Sequence, residues 1–139
     1  MPVLSRLLLA VLVGAILGIE REERGKPAGL RTHVLIAVSS AAFAMLALDL
    51  DGANHDSATR VIQGVIAGVG FLGAGAIVRN REANEVHGLT TASGIWIATA
   101  CGLAVGVGQW QLGLGTSVLA LAVNLGFGYL ERRWLRRGR

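Results

Sequence analysis

Five long runs of apolar residues, separated by short polar stretches, constrain this chain more than any other feature of its sequence. A membrane-spanning helix needs about 20 mostly apolar residues. Runs that approach this length cover residues 3–19, 32–48, 61–78, 88–108 and 112–130, and the last four contain no Asp, Glu, Lys or Arg. The sequence therefore predicts an all-α polytopic membrane protein, with a single transmembrane domain over residues 1–139 that forms a bundle of about five helices.

The composition excludes several other classes of protein. Apolar residues make up 53% of the chain, which is too many for a disordered protein, and charged residues only 16%. The single cysteine, Cys101, excludes a disulfide framework and a zinc site built on cysteines. Basic residues lie in short clusters between apolar runs, which favours a lipid bilayer rather than a nucleic acid as the partner.

The basic residues also predict an orientation. All but two of the 13 Lys and Arg residues fall after the first span, after the third span or in the carboxyl-terminal tail. Only Arg6 and Arg60 fall on the opposite side, together with the acidic loop of residues 49–59. Because Lys and Arg concentrate on the cytoplasmic side of a membrane protein, we expect an outside amino terminus and a cytoplasmic carboxyl terminus.

Charged and hydroxyl side chains gather at the predicted cytoplasmic boundary, where spans one and three end and spans two and four begin. Polar groups at a membrane boundary are costly unless they pair, so this pattern predicts a polar layer that binds a ligand or a partner. Its residues are Glu20, Arg21, Glu22, Lys26, Arg31, Thr32, His33, Arg79, Thr90 and Thr91.

Within this layer we expect Glu20 and Glu22 to pair with Arg31 or Arg79. Two simpler interpretations stay open. The charged stretch is also typical of a solvated loop, and threonines at the start of span four are typical helix caps. If they do not cap, their hydroxyls and the positive helix end can face an anionic group.

Small residues recur at helical spacing in several spans, and such residues let membrane helices approach closely. The predicted packing positions are Gly64, Gly68, Gly70, Gly73 and Gly75 in span three and Asn124 in span five. They can pack helices within one chain, or they can join two copies in a homodimer or a higher homo-oligomer. Residues 68–73 match a dinucleotide fingerprint in letters, but they lie inside an apolar run, which argues against a nucleotide site.

The sequence offers little support for an enzyme or a resident metal. No arrangement of nucleophile, base and acid is visible. Mg²⁺ prefers octahedral oxygen ligands, often carboxylates, and spans two to five contain no acid. We therefore expect no cofactor, although weak divalent-ion contact at the acidic residues 49–54 stays open.

Five short motifs, in this order, resemble the MgtC/SapB family of bacterial inner-membrane proteins. They are residues 17–22 (LGIERE), 26–33 (KPAGLRTH), 60–64 (RVIQG), 68–75 (GVGFLGAG) and 88–92 (GLTTA). Longer members of that family add an ACT-like domain after the membrane part. The chain ends at Arg139, so the resemblance implies a short member that consists of the membrane domain alone.

The resemblance implies a role linked to magnesium limitation, and in some members to virulence inside macrophages and restraint of the ATP synthase. Our first hypothesis is a protein of magnesium homeostasis or of stress and virulence adaptation. It acts by binding a membrane partner or an anionic ligand at the cytoplasmic polar layer. The alternative is a transporter or channel for Mg²⁺ or another small solute, a label that the family has often carried.

Overall fold

The computed structural model describes residues 1–50, 56–80, 85–130 and 133. Its described part contains five helices, and all five are long and apolar enough to cross a membrane. They are α1 (Val3–Glu23), α2 (Leu30–Leu50), α3 (Asp56–Ala76), α4 (Leu89–Gly106) and α5 (Trp110–Leu130). The predicted all-α membrane bundle is confirmed. Most of the acidic loop at residues 49–54 and most of the basic tail lie outside the described residues.

The first two helices extend further toward each other than the apolar runs do. α1 continues to Glu23 rather than residue 19, and α2 begins at Leu30 rather than residue 32. α1 ends in a Schellman motif, in which Gly25 adopts a φ of 60° and its N–H donates to the Glu22 carbonyl at 3.0 Å. The charged stretch that follows the first apolar run is therefore helical up to Glu23, not a loop.

A short β-hairpin connects α3 to α4, and the sequence did not predict it. Strand β1 (Val78–Asn80) pairs antiparallel with strand β2 (Glu85–His87), so that Val78 lies opposite His87. α3 ends before the hairpin at Ala76, and α4 begins after it at Leu89. Gly88 separates the hairpin from α4 with a φ of 92°, a conformation that favours glycine. The predicted spans 61–78 and 88–108 therefore both run past the ends of the helices.

α4 is the central helix of the bundle and packs against each of the other four helices. Half of its spanning segment is buried, against 17% for α3 and for α5. The main core consists largely of small side chains, because helices in lipid associate through close contact rather than through exclusion of water. Its buried members are Ala10, Val13, Leu17, Ala37, Ala41, Ala98, Cys101, Val105 and Ala120.

Glycines bring the helix backbones together at three interfaces. A Cβ on Gly14 of α1 would lie 2.7 Å from the Val34 Cα of α2, and one on Gly106 of α4 would lie 2.6 Å from the Ala41 carbonyl oxygen of α2. Gly113 of α5 meets α4 in the same way. No side chain fits at these positions, so each glycine fixes the separation of two helices.

The glycines of α3 behave differently from those of the other helices. A Cβ on Gly64, Gly68, Gly70 or Gly75 would meet no described atom within 4 Å, whereas one on Gly73 would lie 3.7 Å from the Trp96 ring. The structure thus corrects the interpretation of the first four as positions of close packing within the described chain: Gly64, Gly68 and Gly75 are exposed, and Gly70 is half-buried without a close neighbour. The self-association interpretation stays a prediction for them.

Asn124 is half-buried on α5, and its amide makes no hydrogen bond to any residue that the structure describes.

Candidate functional site

A cluster of polar side chains lies at the end of the bundle where α1 ends and where α2 and α4 begin. We call this group the polar cluster. Its members are Glu20, Arg21, Arg24, His33 and Thr91, and they come from α1, α2 and α4 or, for Arg24, from the residue that ends α1. Glu20 and Arg21 are 5% exposed, Thr91 is 3% exposed and His33 is 1% exposed. Four polar side chains are therefore buried where the membrane-spanning helices meet.

Glu20 forms a salt bridge with Arg24, one helical turn further along the chain. The Arg24 Nε atom lies 2.6 Å from the Glu20 Oε1 atom, and the Arg24 side chain keeps 29% of its surface exposed. The Arg24 guanidinium also lies beside Gly128 near the carboxyl end of α5, where a Cβ would come within 3.1 Å of Nη1. A cation is favourable at that end of a helix, so Arg24 interacts with a carboxylate and with the end of α5.

Arg21 connects α1 to the first turn of α4. Its Nη2 atom donates a hydrogen bond of 2.8 Å to the Thr91 Oγ1 atom. Its Nε atom is buried and has no hydrogen-bond partner among the described residues. Thr91 does not cap its helix, because the N-cap position is Gly88 and no side chain caps α4. The capping interpretation of the threonines is therefore wrong.

The His33 ring lies between the Gly29 carbonyl and α4. Its Nδ1 atom is 2.9 Å from the Gly29 carbonyl oxygen, which can only accept, so Nδ1 carries the proton of the neutral ring. Its buried Nε2 atom has no partner among the described residues. That atom faces Gly94 of α4, where an added Cβ would lie 2.9 Å away. Gly94 therefore makes room for the imidazole.

Unpaired polar atoms distinguish this end of the bundle chemically. Of the five buried side-chain atoms without a hydrogen-bond partner in the described part of the chain, four belong to the polar cluster. They are both carboxylate oxygens of Glu20, Nε of Arg21 and Nε2 of His33, and of these only Glu20 Oε1 is engaged in a salt bridge, with Arg24. Buried polar atoms normally have partners, so the cluster retains donors and acceptors that can bind another group.

The cluster does not resemble a metal site. Within the described ranges, no three His, Cys, Asp or Glu side chains lie close enough together to hold a metal ion. Two arginines and one carboxylate leave the cluster with a net positive charge when His33 is neutral, and such a charge opposes a divalent cation. The arrangement suits hydrogen bonding and anion binding better than metal coordination.

The structure brings four of the ten residues of the predicted polar layer into the cluster: Glu20, Arg21, His33 and Thr91. The other six lie apart from it. Lys26, Arg31 and Thr90 are exposed and Thr32 is half-buried. Glu22 is exposed and accepts a hydrogen bond of 2.9 Å from the Leu30 N–H at the start of α2, and the side chain of Arg79 lies outside the described residues.

The expected pairing of the acidic residues with Arg31 is corrected as well, whereas the alternative partner, the Arg79 side chain, lies outside the described residues. Glu20 pairs with Arg24 and Glu22 caps α2, and neither pairs with Arg31. A neighbour on the same helix, four residues away, reaches Glu20 more easily than a residue beyond the turn. Sequence reasoning left Arg24 and Gly94 out of the site. The spacing of Glu20 and Arg24 would have pointed to that pair if α1 had been extended past residue 19.

Together, the five spanning helices and the buried ionisable cluster at one end define a polytopic membrane protein with a polar site at the membrane boundary. The chain belongs to the MgtC family, whose family model matches residues 7–133. No solved structure matches the chain.

Several curated proteins are similar to this chain over most of its length. Protein SrpB of Synechococcus elongatus is 46% identical over 95% of the chain and 79% of its own length. The putative magnesium transporter YhiD of Escherichia coli K12 is 42% identical over 95% of the chain and 63% of its own length. Protein MgtC of Salmonella typhimurium is 37% identical over 89% of the chain and 52% of its own length. The chain thus spans between about half and about four-fifths of these relatives.

Proposed function

We propose that this chain is a bacterial inner-membrane protein of magnesium homeostasis or of stress and virulence adaptation. In this proposal it acts without catalysis, by binding a ligand or a membrane partner at the polar cluster. The magnesium link is supported by family membership and by the name of the YhiD relative, a putative magnesium transporter. The binding role is supported by one observation: Glu20, Arg21 and His33 are buried in membrane-spanning helices and keep unpaired polar atoms.

The cost of burial is the physical reason for assigning function to this cluster. Ionisable side chains within membrane-spanning segments are rare and typically mark functional sites, because charge is expensive in a low-dielectric surrounding. Packing alone would be better served by small apolar side chains such as the alanines that make up most of the core. We therefore assign the binding role to the cluster rather than to the exposed charges around it.

The proposal is tested by complementation in a bacterium that lacks its own MgtC-family gene and grows poorly at low magnesium. Arg21→Gln and Thr91→Val change the cluster. Arg6→Gln is the matched control, because Arg6 also donates a hydrogen bond from α1 to α4, but at the opposite end of α4. We expect the wild type and Arg6→Gln to restore growth and the two cluster variants to fail. Membrane insertion and protein level are measured for every variant. Normal growth of both cluster variants at equal protein level would overturn the proposed binding role.

The orientation belongs to the same proposal, with the amino terminus outside and the polar cluster on the cytoplasmic side. It is supported by the concentration of basic residues after α1, after α3 and in the tail. Lys26→Cys in a Cys101→Ser background places one exposed thiol in the turn after α1. A membrane-impermeant maleimide added to intact cells should leave that thiol unlabelled until the membrane is opened. Labelling in intact cells would reverse the orientation.

A transporter or channel for Mg²⁺ or another small solute is the second candidate, and the name of the YhiD relative favours it. The net positive charge of the polar cluster opposes it. Purified protein in proteoliposomes decides between the two, with a magnesium-sensitive dye inside and Mg²⁺ outside. We expect no influx above that of empty liposomes, whereas saturable influx that Arg21→Gln abolishes would establish the transporter instead.

We also propose that the protein forms a homodimer or a higher homo-oligomer. The support is the open face of α3, where Gly64, Gly68 and Gly75 contact no other part of the described chain. Small residues on a lipid-facing helix allow a second helix to approach closely. We expect Gly68→Leu to lower the cross-linked oligomer fraction severalfold and Gly115→Leu, on the open face of α5, to leave it unchanged. Equal fractions in the two variants would remove α3 from the interface.

A further inference from the structure

Arg21 contacts the positive end of a helix, whereas the two partly buried arginines Arg6 and Arg24 lie at negative helix ends. The Arg6 Nη1 atom donates to the Gly106 carbonyl at 2.8 Å, at the carboxyl end of α4, and Arg24 lies beside Gly128 near the carboxyl end of α5. Cations are favourable at carboxyl ends of helices, where the dipole is negative. The Arg21 guanidinium instead bonds Thr91 in the first turn of α4, where the dipole is positive. Two positive groups therefore face each other at that place.

The described residues compensate this positive charge only in part. The first turn of α4 contains no acidic residue, and Gly88 at its N-cap offers no side chain. The carboxylate of Glu20, the preceding residue on α1, attracts the Arg21 charge, but its salt bridge goes to Arg24, so one carboxylate serves two guanidinium groups. No described carboxylate forms a salt bridge with Arg21. The two guanidinium groups and the positive end of α4 therefore keep an excess of positive charge over the single carboxylate.

Unused hydrogen-bond donors lie on both sides of the contact between Arg21 and α4. The Arg21 Nε atom is buried and unpartnered in a side chain that is 95% buried. The Thr91 hydroxyl accepts from Arg21 and keeps its own hydrogen for donation. In the described structure, no group accepts from the N–H groups of Leu89 and Thr90, because the first helical bond of α4 runs from Ala92 to Gly88. Leu89 and Thr90 are exposed, so this side of the site is open to the surroundings.

We infer that Arg21, Thr91 and the first-turn N–H groups of α4 form a binding site for a phosphate-type oxyanion. Backbone donors at a helix amino end with an arginine beside them match the charge and the several acceptor oxygens of such a group. The inference rests on the proposed function, because it names the class of ligand that the polar cluster binds. The spanning segments of α1 and α4 meet at the membrane boundary here, so a phospholipid headgroup and free phosphate are both possible sources of the oxyanion.

The test measures binding to the purified full chain in detergent. The probes are dioctanoyl phosphatidylglycerol, inorganic phosphate, and neutral dioctanoylglycerol as the control without phosphate. Arg21→Gln and Thr91→Val remove donors from the site. Arg6→Gln is the matched control for the arginine, and Thr99→Val is the control for the threonine, because Thr99 is buried on the same helix and bonds only its own helix at Ile95.

We expect the wild type and both controls to bind an oxyanion probe saturably and the two site variants to bind it at least about tenfold more weakly. Binding of phosphatidylglycerol without binding of inorganic phosphate identifies a lipid headgroup, and binding of inorganic phosphate alone identifies a free anion. If neither probe binds the wild type, if dioctanoylglycerol binds equally well, or if the site variants bind as the controls do, the inference is overturned. If Arg21→Gln does not fold, the comparison of probe binding by Thr91→Val and Thr99→Val tests the inference.

The binding and growth experiments can fail independently of each other. If no oxyanion binds but Arg21→Gln and Thr91→Val still abolish growth at low magnesium, the inferred oxyanion site is overturned and the proposed binding role of the cluster stands. If the oxyanion binds as expected while the growth of both variants is normal, the site stands and its proposed role in magnesium homeostasis is overturned.

Discussion

Two arginines of α1 contact α4, one at each end, and the groups that they contact differ. At the carboxyl end, the Arg6 guanidinium bonds the Gly106 carbonyl and lies beside Gly108, which completes a Schellman motif with a φ of 92°. At the amino end, the Arg21 guanidinium bonds the Thr91 hydroxyl. The two arginines are about 22 Å apart along α1 at 1.5 Å per residue, so one helix connects both ends of another.

The comparison separates a structural arginine from a candidate functional one. Helix geometry accounts for Arg6, because a guanidinium satisfies a free carbonyl and matches the negative end of the dipole. Helix geometry does not account for Arg21, whose charge lies at the positive end of the same helix. Chemically identical side chains thus differ in role because of the direction of the helix that they meet. The predictions below test this difference, from the largest expected effect to the smallest.

The largest effect should follow from removal of the carboxylate at the amino end of α4. Glu20→Gln leaves Arg21 and Arg24 without a buried counter-charge, and we expect a loss of about 3 kcal/mol in the free energy of unfolding. The partial exposure of Arg24 keeps the loss at the low end of the range for broken buried pairs. Unfolding by SDS titration in mixed micelles measures it. The double variant Glu20→Gln with Arg24→Gln should recover most of the loss.

The matched control for that experiment is Glu23→Gln, which removes an exposed carboxylate from the same helix end. We expect it to change the unfolding free energy by less than about 0.5 kcal/mol. Equal losses for Glu20→Gln and Glu23→Gln would show that the buried salt bridge contributes no more stability than a surface charge. The buried carboxylate near the amino end of α4 would then have no distinct role in stability.

The next largest effect concerns the contact that holds α4 in place between its two ends. A Cβ at Gly102 would clash with the carbonyl of Ala37 on α2, and backbone atoms there cannot move aside. We expect Gly102→Ala to cost about 2 kcal/mol of stability through overpacking. Gly115→Ala on the open face of α5 is the control and should be neutral or slightly stabilising. A neutral Gly102→Ala would contradict close backbone contact between α2 and α4.

The sequence predicted the number and nature of the helices because membrane spans carry a strong local signal. Twenty apolar residues need no knowledge of neighbouring segments to be identified. The ends of the helices were predicted less well, since apolarity stops at residue 19 while α1 continues to Glu23 and ends in the Schellman motif at Gly25. The hairpin of β1 and β2 also lacks an apolar signal, because each strand is three residues long and β2 is exposed.

The site was predicted in part, for a related physical reason. Topology placed Glu20, Arg21, His33 and Thr91 at one boundary, and that required only the order of the spans. Which of the boundary residues face inward depends on helix rotation, and the sequence does not fix that rotation without the contacts. Hence exposed Thr90 and buried Thr91 were treated alike although they are neighbours on one helix.

The two arginines themselves should differ in their contribution to stability. Arg6→Gln removes a charged hydrogen bond to the carboxyl end of α4, and we expect it to lower the free energy of unfolding by about 1.5 kcal/mol. Arg21→Gln also relieves repulsion with the positive end of α4, so its cost should stay below about 1 kcal/mol. Both variants are measured in the same SDS titration. A larger loss for Arg21→Gln than for Arg6→Gln would reverse the comparison on which the oxyanion site depends.

The smallest effect compares how the two ends of α4 are packed against α2. At Gly94 an added Cβ meets the His33 ring, whereas at Gly106 it meets the Ala41 carbonyl oxygen and the Ala44 Cβ. A ring can be removed by mutation and a backbone carbonyl cannot. Gly94→Ala should therefore cost about 1 kcal/mol in the wild type and almost nothing in a His33→Ala background, a coupling that a double-mutant cycle measures. Gly106→Ala should cost the same in both backgrounds. If His33→Ala failed to rescue Gly94→Ala, the imidazole would not occupy the space beside Gly94, and His33 would leave the polar cluster.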